Sequence, residues 1–354
     1  MHSDSISNEL DPVILQDISE SQDAIQCSIF EPIILITGST GLIGSYLAEF
    51  YLGILMQSGM NLEIVLCARK FDSNSERLRA LGSGKVRLVQ INHLSEYLRM
   101  NQMPMHVIHA ASPAAVNNYL EDPLSLVETN ISLTTILCEH LRKVGGHFTF
   151  MSSGEVYGHS PTIPTPENFE GAINHLQESS GYAESKRSAE FILKSYSSLD
   201  IFRASIFRIY HAFGPGIKAN DMRIFATAIN AVINGFDVVL RSDGQSTRGF
   251  IYMGDVARAV LGKFRNDSFS LFNLCGSKEI SILEFATIAC QFSNGNSQIK
   301  FDNAGIADPL SNNQIKRGFA DTSLIRSTGW LQKVSIEDGV ARSIKSGLWR
   351  RRLI

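Results

Sequence analysis

The sequence predicts a doubly wound α/β fold: a parallel sheet with helices on both faces, followed by a smaller C-terminal mixed α/β lobe. Three observations carry this. Short β-branched runs alternate with helix-like segments between residues 33 and 151. The first run ends in a glycine loop that opens a helix. After about residue 205 the texture changes to short elements, more Gly and Asn, and longer loops. Strand–helix alternation implies parallel strands joined by right-handed crossovers. The 354 residues suit about two domains at roughly 150 residues each. The division expected is an extension over 1–29, a sheet domain over 30–205 and a second lobe over 206–354, some of whose segments return to the sheet.

Taken in order, the acidic, polar residues 1–29 read as a poorly ordered or docking extension and do not resemble a signal peptide. Ile33 to Ile36 is a strand buried on both faces. Gly38, Gly41 and Gly44 follow, and a helix runs from Leu42 to Met56. Ile64 to Cys67, Val86 to Ile91 and Val107-Ile108 are the next strands. Residues 124–143 show helical spacing, and Phe148 to Met151 is a further strand. In the second lobe, helices are expected over 222–235, 255–264 and 281–292.

Composition narrows the function. Apolar residues make up 44% and charged residues 19%, enough for a sizeable core and too few charges for disorder. Lys+Arg is 32 against Asp+Glu 35, a net charge of −3, which argues against a nucleic-acid partner. Cys27, Cys67, Cys138, Cys275 and Cys290 are odd in number, widely spaced and without a C-x-x-C pair. Neither a disulfide framework nor a zinc site is expected. Histidines such as His140, His147 and His175 lack ligand spacing, so no metal is expected. The uncharged stretch from Pro32 to Ala48 is interrupted by glycines and hydroxyl residues and has no basic flank, unlike a membrane span. The expected location is the cytoplasm. The tail Trp349-Arg350-Arg351-Arg352 reads as a solvated basic end.

The glycine loop gives the first chemistry. Between a strand and a helix, Gly38-x-x-Gly41-x-x-Gly44 permits a tight turn and lets a pyrophosphate approach the backbone. The helix N-terminus then offers free N–H groups and partial positive charge. This is the signature of a Rossmann-type dinucleotide site. Such sites usually carry an acid at the end of the second strand to bond the ribose 2′-OH. Here Ala68 stands at that place, and Arg69 and Lys70 follow it. A missing carboxylate with two cations suits a 2′-phosphate, so NADP is favoured over NAD. Thr37 and Ser39 either bond phosphate or complete the turn.

The second group follows the strand at 148–151: Ser152-Ser153-Gly154-Glu155-Val156-Tyr157-Gly158. The third is Tyr182-Ala183-Glu184-Ser185-Lys186. Positions i and i+4 share a helix face, so Lys186 stands one turn from Tyr182. A nearby ammonium lowers a phenol's pKa and makes Tyr182 a candidate base. A hydroxyl such as Ser153 can hold the same substrate oxygen while hydride leaves for a nicotinamide.

With these motifs in order, the sequence resembles the extended short-chain dehydrogenase/reductases, specifically the nucleotide-sugar epimerase/dehydratase group, over about residues 31–342. Further signs are His109-Ala110-Ala111-Ser112, Asn130, Phe213-Gly214-Pro215, Arg248-Gly249-Phe250-Ile251-Tyr252 with Asp255, Asn273, and Gly329-Trp330. The resemblance implies Tyr182 as catalytic base, Lys186 as its partner and a ribose ligand, and Ser153 as the hydroxyl on O4 of the sugar. It implies cofactor contacts from Gly38, Thr40, Gly41, Leu42, Ile43, Gly44, Ala110, Ala111, Ser112, Asn130 and Phe213. Asn92 takes the place of the usual adenine-binding aspartate. Ser112, Ser153, His211, Arg223 and Arg248 would face the nucleotide sugar, with Arg248 suited to its phosphates by bidentate bonding. His211 stands where many relatives have asparagine.

Glu155 refines the expected reaction. Oxidation at C4 makes the C5 proton acidic, and a carboxylate two residues after Ser153 can remove it, which leads to 4,6-dehydration. There are departures from the group's patterns. Gly154 replaces the aspartate that thymidine-sugar dehydratases place before that glutamate. Asn220-Asp221-Met222-Arg223 resembles a stretch of uridine-sugar decarboxylases, yet Ser179 replaces their arginine three residues before the tyrosine. The reading is therefore C4 oxidation of a nucleotide sugar by bound NAD(P), leading to 4,6-dehydration or epimerisation. An NADPH-dependent 4-keto-sugar reductase stays open, as does a non-catalytic NADP(H)-sensing protein. The resemblance also implies a homodimer paired through helices near 124–143 and 182–197.

Overall fold

The computed structural model describes residues 9–28, 30–113, 122–177, 180–199, 201–262, 267–293, 295–302 and 317–346. Ser179 and the basic tail lie outside them.

The chain opens with two helices, α1 (Pro12–Ser19) and α2 (Gln22–Gln26). Asp11 caps α1 by accepting from the Val13 N–H, and Pro12 occupies the first turn, where a missing N–H costs nothing. Ile14 and Ile18 of α1 are fully buried in one cluster with Tyr46, Phe50 and Tyr51. Each such burial contributes roughly 1.5–3 kcal/mol. Of the two expectations for the N-terminal segment, docking is therefore the outcome over residues 9–28.

Strands β1 (Ile33–Thr37), β2 (Glu63–Ala68) and β3 (Val86–Gln90) alternate with α3 (Leu42–Ser58), α4 (Ser73–Leu81) and α5 (Leu94–Met100). Every residue of α3 from 44 to 55 is buried. A helix apolar all round needs cover on its outer side, and α1 supplies it. Strands β4 (Met105–His109) and β5 (Gly146–Ser153) follow, with α6 (Leu133–Val144) between them. The even helical spacing expected over 124–143 is interrupted: a short turn at Leu124–Leu126 leads into a π-helical turn over Val127–Ser132 before α6. Such wide turns cluster at functional sites.

After α7 (Gly181–Ser197) comes β6 (Arg203–Ile209). The boundary expected at 205 falls inside this strand. The short strands β7 (Ala212–Phe213), β8 (Val238–Leu240), β9 (Thr247–Arg248) and β10 (Ile251–Tyr252) follow, with α8 (Ile224–Ile233) among them and α9 (Met253–Val260) after them. Strand β11 (Phe269–Leu274) returns to the main sheet. Strands β12 (Ile280–Ser281), β13 (Ile299–Phe301) and β14 (Arg317–Gly318), with α10 (Ile282–Gln291), α11 (Ser323–Ser327) and α12 (Ile336–Lys345), complete the described chain.

The main sheet has seven parallel strands in the order β11-β6-β5-β4-β1-β2-β3. The direction of winding reverses between β1 and β4, and in such sheets ligands bind at the carboxyl ends of strands beside that point. One core fills the α3 side of the sheet, another the α6 and α7 side. A third forms around Phe213, Phe250 and Phe285. Among the described residues, no helix is long and apolar enough to cross a membrane.

Candidate active site

The carboxyl ends of β1, β4, β5 and β6 carry the residues singled out from the sequence. Gly38 leaves β1 at φ +66°, a left-handed value that favours glycine. A Cβ there would lie 2.6 Å from the Ala111 backbone, so the loop after β4 closes directly on the loop after β1. At Gly44 a Cβ would stand 2.3 Å from the Gly38 carbonyl, which lets α3 start tightly against the turn. Gly41 precedes α3 and offers no side-chain cap, so the first N–H groups of the helix remain open to an anion. Thr40, Gly41, Leu42 and Ile43 are all partly accessible around this opening. Ser39 and Thr37 complete the turn instead of facing it: the Ser39 hydroxyl donates to the Cys67 carbonyl at 3.3 Å, and Thr37 bonds His109.

Arg69 and Lys70 are exposed just past β2, and Asn92 is exposed just past β3. Beyond β4, Ala110, Ala111 and Ser112 are half-buried, and the Ser112 hydroxyl is buried with no hydrogen-bond partner among the described residues. Asn130 sits fully buried in the π-helical turn. Its Nδ2 donates to Ser185 Oγ at 2.9 Å, and that hydroxyl donates to the Tyr182 carbonyl at 2.8 Å. The Asn130 Oδ1 has no partner among the described residues. An uncapped helix N-terminus beside two orphaned polar atoms is a cradle with unfilled valences, and it fits a dinucleotide.

The sequence alone assigns His109 no role of its own. The structure makes it the tie among β1, β4 and the π-helical turn. Its Nδ1 lies 2.6 Å from Thr37 Oγ1 and its Nε2 lies 3.1 Å from the Thr129 carbonyl. The carbonyl can only accept, so Nε2 carries the proton and Nδ1 accepts from Thr37. Burial, reinforced by the Lys186 ammonium, pushes this imidazole down to about 3.

The catalytic candidates come from β5 and α7. Ser153 ends β5, and its Oγ accepts from the Glu155 N–H at 3.2 Å. Tyr182 opens α7 and is half-buried. Lys186, one turn on, is buried and donates from Nζ to the Met151 carbonyl at 2.7 Å. Its Nζ stands 4.6 Å from the Phe150 ring centroid and 6.0 Å from that of Tyr182. Burial pulls the ammonium down to about 7, with Glu190 opposing. Glu190 is itself neutralised by Arg208 at 2.7 Å and takes a hydrogen bond from Ser152. That second layer was missed in the sequence, although Glu190 lies four residues beyond Lys186 on the same helix face.

Glu155 is exposed in the short turn after β5. Burial raises its carboxyl above the usual carboxylate range, while Arg248 and His159 pull it down. Arg248 is largely buried; its Nε donates to His211 Nε2 at 3.1 Å. His211 holds a strained backbone at φ +40°. Burial first, then the charges of Arg248 and Arg223, push its imidazole down to about 3. Arg223 is exposed and ion-paired to Asp221 at 2.5 Å. Glu155, His211, Arg223 and Arg248 therefore form one electrostatically coupled group.

The Phe213 side chain is fully buried among Phe250, Tyr252 and Phe285, so a cofactor contact from the segment Phe213-Gly214-Pro215 would come from its backbone. At Gly154 a Cβ would lie 2.5 Å from the Tyr210 ring, so no side chain fits where an aspartate acid would stand. Asn273 also acquires a role. It accepts from Tyr157 Oη at 2.7 Å and donates to the Thr165 and Asp321 carbonyls at 3.0 Å, fixing the turn that carries Glu155.

One prediction follows from the two buried imidazoles. Their ordinary value of 6.5 is depressed to about 3 on folding. Between those limits the unfolded chain binds protons that the folded chain does not. Stability is thus full above pH 6.5 and falls as pH drops towards 3, by up to about 1.4 kcal/mol per unit per histidine. Denaturant midpoints measured across that window should show the slope, and His211→Asn should reduce it. A midpoint flat down to the carboxylate range would contradict the neutral-imidazole assignment.

Comparison with known proteins agrees with this arrangement. The model of the NAD dependent epimerase/dehydratase family matches residues 34–275. UDP-glucuronic acid decarboxylase 1 of Xenopus tropicalis is 28% identical over 314 residues, covering 88% of this chain and 71% of that protein. The Arabidopsis thaliana protein of the same name is 26% identical, covering 91% and 70%. Among solved structures, UDP-N-acetylglucosamine 4-epimerase from Methanobrevibacter ruminantium M1 superposes with a TM-score of 0.76 at 21% identity, covering 92% of this chain and 99% of that one. UDP-glucuronic acid 4-epimerase from Bacillus cereus, solved with UDP-glucuronic acid and NAD, gives 0.73 at 20%, covering 91% and 100%. These likenesses place the fold, and the family match spans more than half of the chain. The glycine loop, the Tyr182/Lys186 helix and the matched segment coincide, and the chain belongs to the NAD dependent epimerase/dehydratase family.

Proposed function

We propose that this chain is a nucleotide-sugar-modifying enzyme that oxidises the sugar at C4 and returns the hydride within one turnover, with C4 epimerisation the outcome its site supports best. The observation that carries this is α7, which sets Tyr182 one turn from a buried Lys186 whose Nζ bonds the Met151 carbonyl, two residues before Ser153. Bound NAD(P) supplies the hydride acceptor. Tyr182 takes the proton of the C4 hydroxyl, and Ser153 holds that oxygen in line. Lys186 keeps the phenolate form accessible and offers its remaining N–H groups to a ribose hydroxyl. Arg248, with His211 and Arg223, binds the diphosphate end. A UDP sugar is the substrate class favoured by the curated relatives and the solved neighbours.

Elimination of water is less well supported. Tyr210 occupies the space that a second acid at position 154 would need, and Glu155 is left without a carboxylate partner there. Its raised carboxyl still suits removal of a C5 proton, so dehydration is the second reading. Incubation with a panel of UDP sugars, read by mass and NMR, separates the outcomes. An isobaric product supports epimerisation, loss of water supports the second reading, and loss of carbon dioxide would overturn both.

The cofactor preference we propose is NADP over NAD. Ala68 cannot bond a 2′-hydroxyl, and Arg69 and Lys70 are exposed beside it with no ion-pair partner among the described residues. Arg69→Ala should raise the NADPH dissociation constant about tenfold, the loss of roughly one charge-assisted bond. An unchanged constant would reject the preference. We also propose a homodimer. Phe191 on α7 is 73% exposed and Ile136 on α6 is 43% exposed, an apolar face suited to a second copy. A monomeric mass in light scattering would contradict it.

A further inference from the structure

The N-terminal helix does more than cover α3. Asp17 is fully buried, and its carboxylate has three partners from three distant elements. Tyr46 of α3 donates to Oδ2 at 2.5 Å, and Tyr252, at the end of β10, donates to the same oxygen at 2.8 Å. Arg342 of α12 reaches Oδ1 at 2.5 Å and also pairs with Glu20 at 2.8 Å. Further ties flank this centre. The Asp11 N–H donates to Glu49 of α3 at 2.8 Å, and Ser346, just past α12, donates to Asp11 at 3.0 Å. Lys333 pairs with Asp23 at 3.0 Å.

The elements so joined are those that must be held in register for chemistry between the lobes. Helix α3 starts at the glycine cradle. Strand β10 pairs with β7, Ile251 against Ala212 and Tyr252 against Phe213, directly after His211, and Tyr252 lies four residues beyond Arg248. Fit at the contact is close: a Cβ on Gly53 of α3 would meet Ile18 Cδ1 at 2.3 Å. A buried carboxylate is costly unless each of its oxygens is bonded, and here the bonds come from both lobes.

We propose that residues 11–27 form a clamp that fixes the substrate lobe against the cofactor helix, with Asp17 as its positioning residue. Asp17 touches neither substrate nor cofactor; it acts through Tyr46, Tyr252 and Arg342. The clamp concerns cofactor retention and lobe register, and it stands independently of which sugar is used. Losing such a tie should weaken dinucleotide binding at the other end of α3, since coupling between linked sites is commonly about five- to 150-fold.

The test uses the full chain with Asp17→Asn, which keeps the shape and removes the charge, and Glu76→Gln, an exposed carboxylate of α4 outside the segment, as the control. Two readouts are taken: NAD(P) binding by calorimetry, and amide hydrogen exchange of α9 and α12. For Asp17→Asn we expect a dissociation constant raised about fivefold or more, with faster exchange in both helices. The control should change neither. If Asp17→Asn does not fold, Arg342→Lys, which keeps the charge but loses the fork, is measured the same way. Unchanged binding and exchange, even with a lower melting temperature, would overturn the clamp and leave the segment a stabiliser only. Should the wild type bind neither NAD nor NADP, the functional proposal fails, and the exchange readout alone still decides for or against the clamp.

Discussion

Tyr182→Phe is expected to lower turnover about a hundred- to ten-thousandfold, the range for removing a general base, with the cofactor dissociation constant nearly unchanged. The phenyl ring keeps the packing of the half-buried side chain and deletes only the hydroxyl. Tyr182 is held by its backbone carbonyl, which accepts from Ser185, itself fixed by Asn130. The substitution therefore leaves the π-helical turn and the cradle intact. Steady-state kinetics with calorimetry for NAD(P) separates the two effects. Equal loss of turnover and binding would mean that Tyr182 is a structural member of the cradle. Full retention of biological activity would favour the non-catalytic sensor.

Lys186→Met is expected to lower turnover about a hundredfold or more and yet stabilise the cofactor-free chain. The ammonium is fully enclosed, with burial the dominant cause of its fall to about 7 from an ordinary 10.5. The unfolded chain holds this proton up to 10.5 while the folded chain releases it near 7, so the folded state carries a penalty that is complete below pH 7 and relieved as pH rises to 10.5. Methionine has nearly the same length and no charge. Replacing a buried ion pair by apolar groups of similar volume is often neutral or stabilising by about 1–4 kcal/mol, and removing the Lys186 desolvation penalty is expected to act in the same direction, since Glu190 keeps Arg208 as its partner. Chemical denaturation at neutral pH should show that gain, and kinetics should show a loss of about a hundredfold or more. A destabilised variant would mean that the Met151 carbonyl bond, together with the ring contacts, outweighs desolvation. Such a trade, stability given up at a position needed for chemistry, is what a functional site predicts.

The sheet was legible because its strands are short, β-branched and buried on both faces, a pattern few other structures need. The glycine cradle was legible because its glycines answer to sterics alone: Gly38 and Gly44 have backbone where a Cβ would go. The π-helical turn was not legible, since the same apolar spacing serves a regular helix, and only the register of Asn130 against Ser185 distinguishes them. The burial of the Phe213 ring was not legible, because an aromatic residue next to a motif reads the same whether its ring faces a ligand or a core. The Glu190–Arg208 pair and the Asn273 hub depend on strands brought together by the sheet, which spacing along the chain does not reveal. The docking of α1 was half legible. Asp11-Pro12 is a helix start, and the unbroken apolar character of α3 demanded a cover, but the two segments had to be read together.

The central claim is that oxidation at C4 is transient and internal. Its most direct test follows the nucleotide sugar that the panel identifies, deuterated at C4, with NAD(P) supplied in catalytic amount. The account predicts product in large excess over cofactor, with the deuterium retained in the sugar. Deuterium lost to solvent, or consumption of one NADPH for each product, would contradict it.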